Sequence, residues 1–169
     1  MYDLQLSDRA LTTWALLRQT WSVMDKAAET RLAKVGLTPE KLAVLWICRD
    51  YPGLSTTAEI ARFLSRQSQS VTGLLNRMEE EGLISRIPKR KGRPFTEIKL
   101  TAKGEKACGV GIAVIKGLIR EIAPALSAEE QQQLQRLLGA LRQQVVEDLH
   151  IELTPPPDFS AEEAIPVKW

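Results

Sequence analysis

Apolar side chains recur at helical spacing through most of the chain and predict a mostly α-helical protein. From residue 7 to residue 35 they follow a seven-residue repeat, with one register at Trp14, Trp21, Ala28 and Val35 and the other at Ala10, Leu17 and Met24. This repeat predicts a single long amphipathic helix. Ser7 is its expected N-cap and Gly36 its expected end. The helix is longer than a small core requires.

Three shorter helices are predicted between residues 38 and 81. The first opens at Thr38-Pro39 and runs to about Arg49, with apolar residues on both sides. A capping box at Thr56-Thr57-Ala58-Glu59 opens the second. After the polar break Ser65-Arg66-Gln67, the third runs from about Ser68 to Glu81 and ends at Gly82. Its buried stripe has the spacing i, i+3, i+4, i+7 and comprises Val71, Leu74, Leu75 and Met78.

A short β-hairpin and two more helices follow. Two β-rich segments, Leu83 to Ile87 and Phe95 to Leu100, flank the basic stretch RIPKRKGRPF and predict a hairpin with a cationic tip. Thr101 is the expected cap of a fifth helix over residues 101–123. A capping box from Ser127 to Glu130 opens a sixth, leucine-rich helix. Beyond His150, a triple proline and the loss of periodicity predict an extended or disordered tail.

Composition and charge narrow the function classes. The chain has 169 residues, 44% hydrophobic and 26% charged, with a net charge of +2, so local clusters of basic residues carry more information than the total. No signal peptide is visible at the start. The longest apolar run, from Gly109 to Ile119, is shorter than the ~20 residues of a membrane span. Cys48 and Cys108 are typical of a reducing compartment. We therefore expect a cytoplasmic protein without a membrane partner.

The order of the elements is that of a winged helix-turn-helix, in which one helix enters the DNA major groove. That groove is about 12 Å wide and admits a single α-helix. In the fourth helix the buried stripe leaves polar side chains facing outward, and the expected DNA-contacting residues are Ser68, Gln69, Ser70, Thr72, Asn76 and Arg77. Gln69 and Asn76 suit bidentate contacts with adenine, and Arg77 suits guanine or phosphate. Because many surface helices have a polar face, this interpretation depends on the spacing of the whole unit.

The segments LTPEKLAVLWI, AEIARFLSRQSQSVTGLLNRMEEEGLISR and IKLTAKG, between Leu37 and Gly104, resemble the MarR family of dimeric bacterial transcription regulators. The resemblance implies that residues 68–77 contact the major groove of double-stranded DNA and that the wing reaches the adjacent minor groove. It also implies a DNA-binding domain at residues 37–100, a homodimerisation region at residues 1–36 and 101–150, and a tail at residues 151–169. A repressor that binds a pseudo-palindromic operator in a bacterial or archaeal cytoplasm is the expected function.

The wing and the phosphate-contacting positions carry most of the clustered positive charge. The residues expected to contact DNA phosphates or the minor groove beside the wing are Thr56, Thr57, Arg66, Arg86, Lys89, Arg90, Lys91 and Arg93. The KGRP segment looks like the core of an AT-hook, with Lys91 in place of arginine. Its glycine allows close approach to a groove about 6 Å wide, which Arg93 can then enter. The alternative is a solvated turn that contacts phosphates only. This chain departs from the family pattern at Gly73, because other members commonly have a long polar side chain at that position.

Many members of the family respond to small aromatic molecules, and by that resemblance Trp14, Arg18 and Trp46 are the ligand-binding candidates. Alternatively, the two tryptophans are core or interface anchors. Cys48 lies in an apolar stripe, which argues against the peroxide-sensing branch of the family. His150 is the only histidine, so no metal site is expected.

The sequence contains no recognisable nucleophile with its base, no paired acids and no phosphate-binding loop. We therefore expect neither an enzyme nor a cofactor. The alternative function is an effector-independent architectural DNA-binding protein. Three glycines in the fifth helix, Gly109, Gly111 and Gly117, leave two structural possibilities. Either another helix approaches closely there, or the helix is soft.

Overall fold

The computed structural model describes residues 7–51, 55–88 and 96–150. The fold is mostly helical with one small antiparallel hairpin, as predicted. The elements are α1 (Arg9–Ala33), α2 (Pro39–Asp50), α3 (Thr57–Phe63), α4 (Ser68–Glu80), β1 (Ile84–Pro88), β2 (Thr96–Leu100), α5 (Ala102–Ile122), a 3₁₀ turn (Ala123–Ala125) and α6 (Ala128–Asp148). Every predicted helix is present.

The chain divides into two compact units, with the division inside α5 between Leu118 and Ile119. The first unit contains α1 to α4, the hairpin and most of α5. The second contains the end of α5, the 3₁₀ turn and α6. The functional partition into DNA-binding domain, dimerisation region and tail stays a prediction, and residues 151–169 lie outside the described part of the chain.

The core of the first unit lies beneath α4 and the hairpin. Its fully buried side chains come from α1 to α5 and both strands, and include Leu32, Leu45, Ile47, Ile60, Leu75, Met78, Ile84, Ile98 and Cys108. Burying a side chain of this size contributes about 1.5–3 kcal/mol. The predicted buried stripe of α4 is confirmed at Val71, Leu75 and Met78, and Leu74 is half-buried. One face of α4 is therefore held against the core, and the opposite face points outward.

The ends of the helices follow from local hydrogen bonding, with two corrections to the sequence prediction. The cap of α1 is Asp8 and not Ser7, because the Leu11 N–H donates to Asp8 Oδ1 at 2.9 Å. In the box that opens α3, Thr56 accepts from the Glu59 N–H at 3.3 Å, but the Glu59 carboxylate pairs with Arg62 at 2.7 Å. Gly36 ends α1 and Gly82 ends α4, with φ angles of 75° and 71°.

The capping box of α6 is formed as predicted. The Glu130 N–H donates to Ser127 Oγ at 3.3 Å, and the Ser127 N–H donates to Glu130 Oε2 at 2.8 Å. Thr101 likewise caps α5, since its Oγ1 accepts from the Gly104 N–H at 3.0 Å. Both caps depend only on residues within three positions of each other, so the sequence alone was sufficient to predict them.

Among Gly109, Gly111 and Gly117 of α5, close approach explains Gly111. A Cβ on Gly111 would lie 2.6 Å from Leu42 and 2.9 Å from Leu37. Within the described residues, nothing lies within 4 Å of a Cβ built on Gly109 or Gly117. Gly111 is therefore where α5 packs tightly against the segment that opens α2.

Candidate nucleic-acid interface

Helix α4 is presented by a short turn that follows α3. Ser65 has a left-handed φ of 50°, and the Arg66 N–H donates to the Ala61 carbonyl at 2.9 Å, which closes the turn. Ile60 and Ala61 are buried against the core and hold α3 in place. The chain then turns into α4 at Ser68, and α4 lies against α3 with its first three residues exposed.

The outward face of α4 carries the polar side chains that the sequence predicted. All of them are exposed: Ser68, Gln69, Ser70, Thr72, Asn76 and Arg77. Thr72 Oγ1 donates to the Ser68 carbonyl at 2.8 Å, which leaves its oxygen to accept. Gln67 occupies the N-cap position without a side-chain cap bond, so the first amides of α4 can meet an anion such as phosphate.

The hairpin is tied to the segment that opens α3. Its strands pair antiparallel, with Arg86 opposite Ile98, and the Ile98 N–H donates to the Ser55 carbonyl at 2.8 Å. Thr56 also forms a β-bridge with Glu97. The base of the wing is thus fixed beside the helix-turn-helix. The predicted wing-tip contacts Lys89, Arg90, Lys91 and Arg93 lie outside the described residues.

Arg86, predicted as a DNA contact, is bonded to two residues of α4. Its Nη1 lies 2.6 Å from Glu79 Oε2, its backbone N–H donates to Glu79 Oε1 at 3.1 Å, and its Nη2 donates to Asn76 Oδ1 at 2.7 Å. Sequence reasoning treated Arg86 as part of the cationic stretch and missed this role. The available signal was Glu79, placed just before the Gly82 turn that reverses the chain.

These elements match known proteins. The family model of MarR matches residues 37–92. This chain carries a MarR-family domain.

Solved MarR-family structures share the fold. The DNA complex of MepR from Staphylococcus aureus gives a TM-score of 0.70 at 23% identity, covering 78% of this chain and 96% of that one. Mutant MarR from E. coli, complexed with operator DNA, gives 0.70 at 22% identity, covering 82% and 99%. The Mycobacterium tuberculosis MarR family protein Rv2887, in complex with salicylic acid, gives 0.60 at 27% identity, covering 75% and 93%.

Residues 37–92 thus form a MarR-family domain, and the outward polar face of α4 lies within it. Acidic side chains at the C-terminal end of α4 would repel the phosphates of a bound DNA. Glu79 is paired with Arg86, and Lys41 Nζ contacts both carboxylate oxygens of Glu81 at 2.6 and 2.7 Å. These pairs reduce the negative charge that the helix presents. Because they are partly exposed, they contribute little to stability.

The predicted phosphate contacts near α3 remain accessible to different degrees. Thr57 is the first residue of α3 and is half-buried, as is Thr56. Arg66 is 62% exposed, and its Nη2 lies 3.6 Å from Glu40. A long pair of this kind is weak, so Arg66 can turn toward a phosphate at small cost.

The three ligand-binding candidates, Trp14, Arg18 and Trp46, are all exposed. Trp46 is 42% exposed and makes an edge-to-face contact with Tyr51, with ring centroids 6.4 Å apart. Of the apolar residues that the sequence predicted on both sides of α2, Trp46 is far more exposed than its buried neighbours Leu45 and Ile47. Trp14 is 64% exposed, and Arg18 lies one turn further along α1. An open depression of about 600 Å³ on α1, between Ser22 and Lys34, has other lining residues.

The two cysteines have the chemistry of buried thiols. Burial raises the pKa of Cys48 to about 12, and it also raises the pKa of Cys108. Both thiols therefore stay protonated at neutral pH, which argues against a reactive thiolate. Among residues 7–51, 55–88 and 96–150, no cluster of His, Cys, Asp or Glu side chains is arranged to hold a metal ion. None of the helices in those ranges is long and apolar enough to span a membrane.

Proposed function

We propose that this MarR-family regulator is a homodimeric repressor that binds a pseudo-palindromic operator, with α4 of each protomer in the major groove of one half-site. The observation that carries the proposal is the contrast between two kinds of exposed surface. The outer face of α4 is polar and largely free of acid, whereas α1 and α6 expose large apolar side chains. The first surface suits base edges and phosphates, and the second suits a second copy of the chain.

The apolar exposure is extensive. On α1 it includes Trp14 at 64% and Trp21 at 70%, and on α6 it includes Leu137 at 46% and Leu141 at 52%. Leaving such side chains in water loses about 25 cal/mol for each Å² that a partner would cover. A two-fold dimer buries the same faces on both copies and spaces the two α4 helices for successive turns of DNA.

Operator binding is supported by the DNA complexes of MepR and of mutant MarR, which share this fold. The test is selection of bound duplexes from a random pool by the purified protein. The proposal predicts an inverted repeat, with half-sites about one helical turn apart. A pool without a consensus, or equal affinity for selected and random duplexes, would contradict it and favour an architectural DNA-binding protein.

Release by a small aromatic acid extends the proposal. It is supported by the salicylic acid complex of Rv2887 and by the exposed Trp14, Arg18 and Trp46, which offer aromatic walls and one cation. Titrating salicylate and related acids should change tryptophan fluorescence and release the operator over the same concentration range. A fluorescence change without operator release would show that the acid binds the protein but does not regulate DNA binding.

A further inference from the structure

Three side chains at the junction of α4 and β1 form a connected hydrogen-bond network. Arg86 on β1 donates through Nη2 to Asn76 Oδ1 at 2.7 Å and pairs through Nη1 with Glu79 Oε2 at 2.6 Å. Arginine carries only donors, so the atom of Asn76 that faces it must be the amide oxygen. The orientation of the Asn76 amide therefore follows from the chemistry of its neighbour.

Arg86 is itself held firmly. Its backbone N–H donates to the second oxygen of Glu79 at 3.1 Å, and its backbone pairs with Ile98 across the hairpin. Its side chain is 26% exposed and that of Glu79 is 39% exposed. Charge-assisted bonds at two points of one carboxylate give the guanidinium a defined position. It acts as a fixed donor beside an exposed residue of α4.

We infer that Arg86 is a positioning residue for base recognition: it turns the Asn76 amide so that Nδ2 faces DNA and favours guanine or thymine, whose major-groove edges present only acceptors, over adenine, whose N6 donor would lack a partner. Bidentate recognition of adenine requires the amide oxygen and nitrogen to meet the same base edge. With Oδ1 directed to Arg86, the nitrogen is the end left for DNA. The inference rests on the proposed function and revises the sequence-based assignment of Asn76 to adenine.

The test compares duplexes selected by the wild-type protein with those selected by Asn76→Asp and Arg86→Gln. The wild type should enrich guanine or thymine at one position of each half-site. Asn76→Asp keeps the partner of Arg86 but offers only oxygens, so the preference should move to cytosine or adenine. The relative affinity of the two base classes, measured by anisotropy, should change about tenfold or more. Arg86→Gln frees the amide, so adenine should become acceptable at the same position.

Gln132→Glu is the control for the added charge, because it makes the same kind of change at an exposed position of α6, outside the predicted DNA contacts. It should leave the preference at the Asn76 position unchanged. In an Asn76→Ala background, Arg86→Gln should have no further effect on that preference. If Arg86 had a purely structural role, Arg86→Gln would instead weaken binding equally for all duplexes.

The inference is overturned if the wild type selects a consensus and Asn76→Asp leaves every position unchanged. It is also overturned if folded Arg86→Gln loses affinity uniformly without a change in base preference. Should Arg86→Gln fail to fold, Asn76→Asp decides alone. Absence of any consensus for the wild-type protein would instead contradict the proposed function, so the two failures are distinguishable.

Discussion

Gly104 shows how a single residue sets the approach of α5 to the hairpin. A Cβ built on it would overlap the Leu83 carbonyl oxygen. That oxygen already accepts from the Thr101 N–H at 3.1 Å and from Thr101 Oγ1 at 3.2 Å, so it cannot move without loss of these bonds. The sequence indicated this glycine only as part of the motif LTAKG. Its physical reason depends on a contact with a residue far away in the chain.

Replacing Gly104 with alanine should lower the free energy of unfolding by about 1–3 kcal/mol, the usual cost of overpacking. Gly73→Ala is the control, because its Cβ would meet only Arg77 Nη1 at 3.9 Å and a helical alanine is favoured by up to ~1 kcal/mol. Urea denaturation measures both. Equal stability of the two variants would contradict the proposed contact.

Cys48 should make stability depend on pH above 9. Its pKa is about 12 in the folded chain against 9.0 for an unperturbed thiol, so the unfolded state binds fewer protons between these values. The free energy of unfolding should therefore fall as pH rises from 9 toward 12. In Cys48→Ala this fall should be shallower, whatever the overall loss of stability.

The control for Cys48→Ala is Ile47→Val, a buried neighbour that does not titrate. It should lower the free energy of unfolding by about 0.5–1.5 kcal/mol at every pH and leave the slope unchanged. Identical slopes for wild type and Cys48→Ala would show that the thiol titrates normally.

At the scale of elements, the sequence predicted the existence, order and first residues of the helices well, with the cap of α1 as the exception. Amphipathic stripes and glycine ends depend on neighbours within a few residues, so α4 and its end at Gly82 were predictable. The cap of α1 was misplaced because Ser7 and Asp8 are both good caps. The network of Arg86 was not predictable, because it requires the hairpin to fold back onto α4.

Asp8→Ala should fray the start of α1 and lower the free energy of unfolding by about 1 kcal/mol, because the Leu11 amide loses its acceptor. Ser7→Ala should have almost no effect. Amide hydrogen exchange at Leu11 gives the direct measurement. Faster exchange in Ser7→Ala than in Asp8→Ala would assign the cap to Ser7.

At the scale of the whole molecule, the exposed apolar faces of α1 and α6 are the main feature that one copy of the chain leaves unexplained. The heptad pattern predicted α1 as a long amphipathic helix, and the resemblance to the MarR family predicted that it pairs with a second copy. Exposure of Trp21 at 70% and Leu149 at 65% agrees with such pairing. The details of the contact depend on the partner's surface, which a single sequence does not define.

Leu137→Glu with Leu141→Glu should produce a monomer, because charges on the apolar face of α6 would be buried at a two-fold interface. Gln132→Glu adds charge to an exposed polar position of α6 and should leave the dimer intact. Sedimentation equilibrium measures the mass of each variant. A double variant that sediments as a dimer would remove α6 from the interface.

The most direct test of the account uses the selected operator and a duplex with five extra base pairs between its half-sites. Five base pairs are about half a helical turn, so they place the second half-site on the opposite side of the DNA. A rigid two-fold dimer should bind the lengthened duplex no better than a duplex with one half-site. Equal affinity for the two full-length duplexes would contradict recognition by a dimer with two fixed α4 helices.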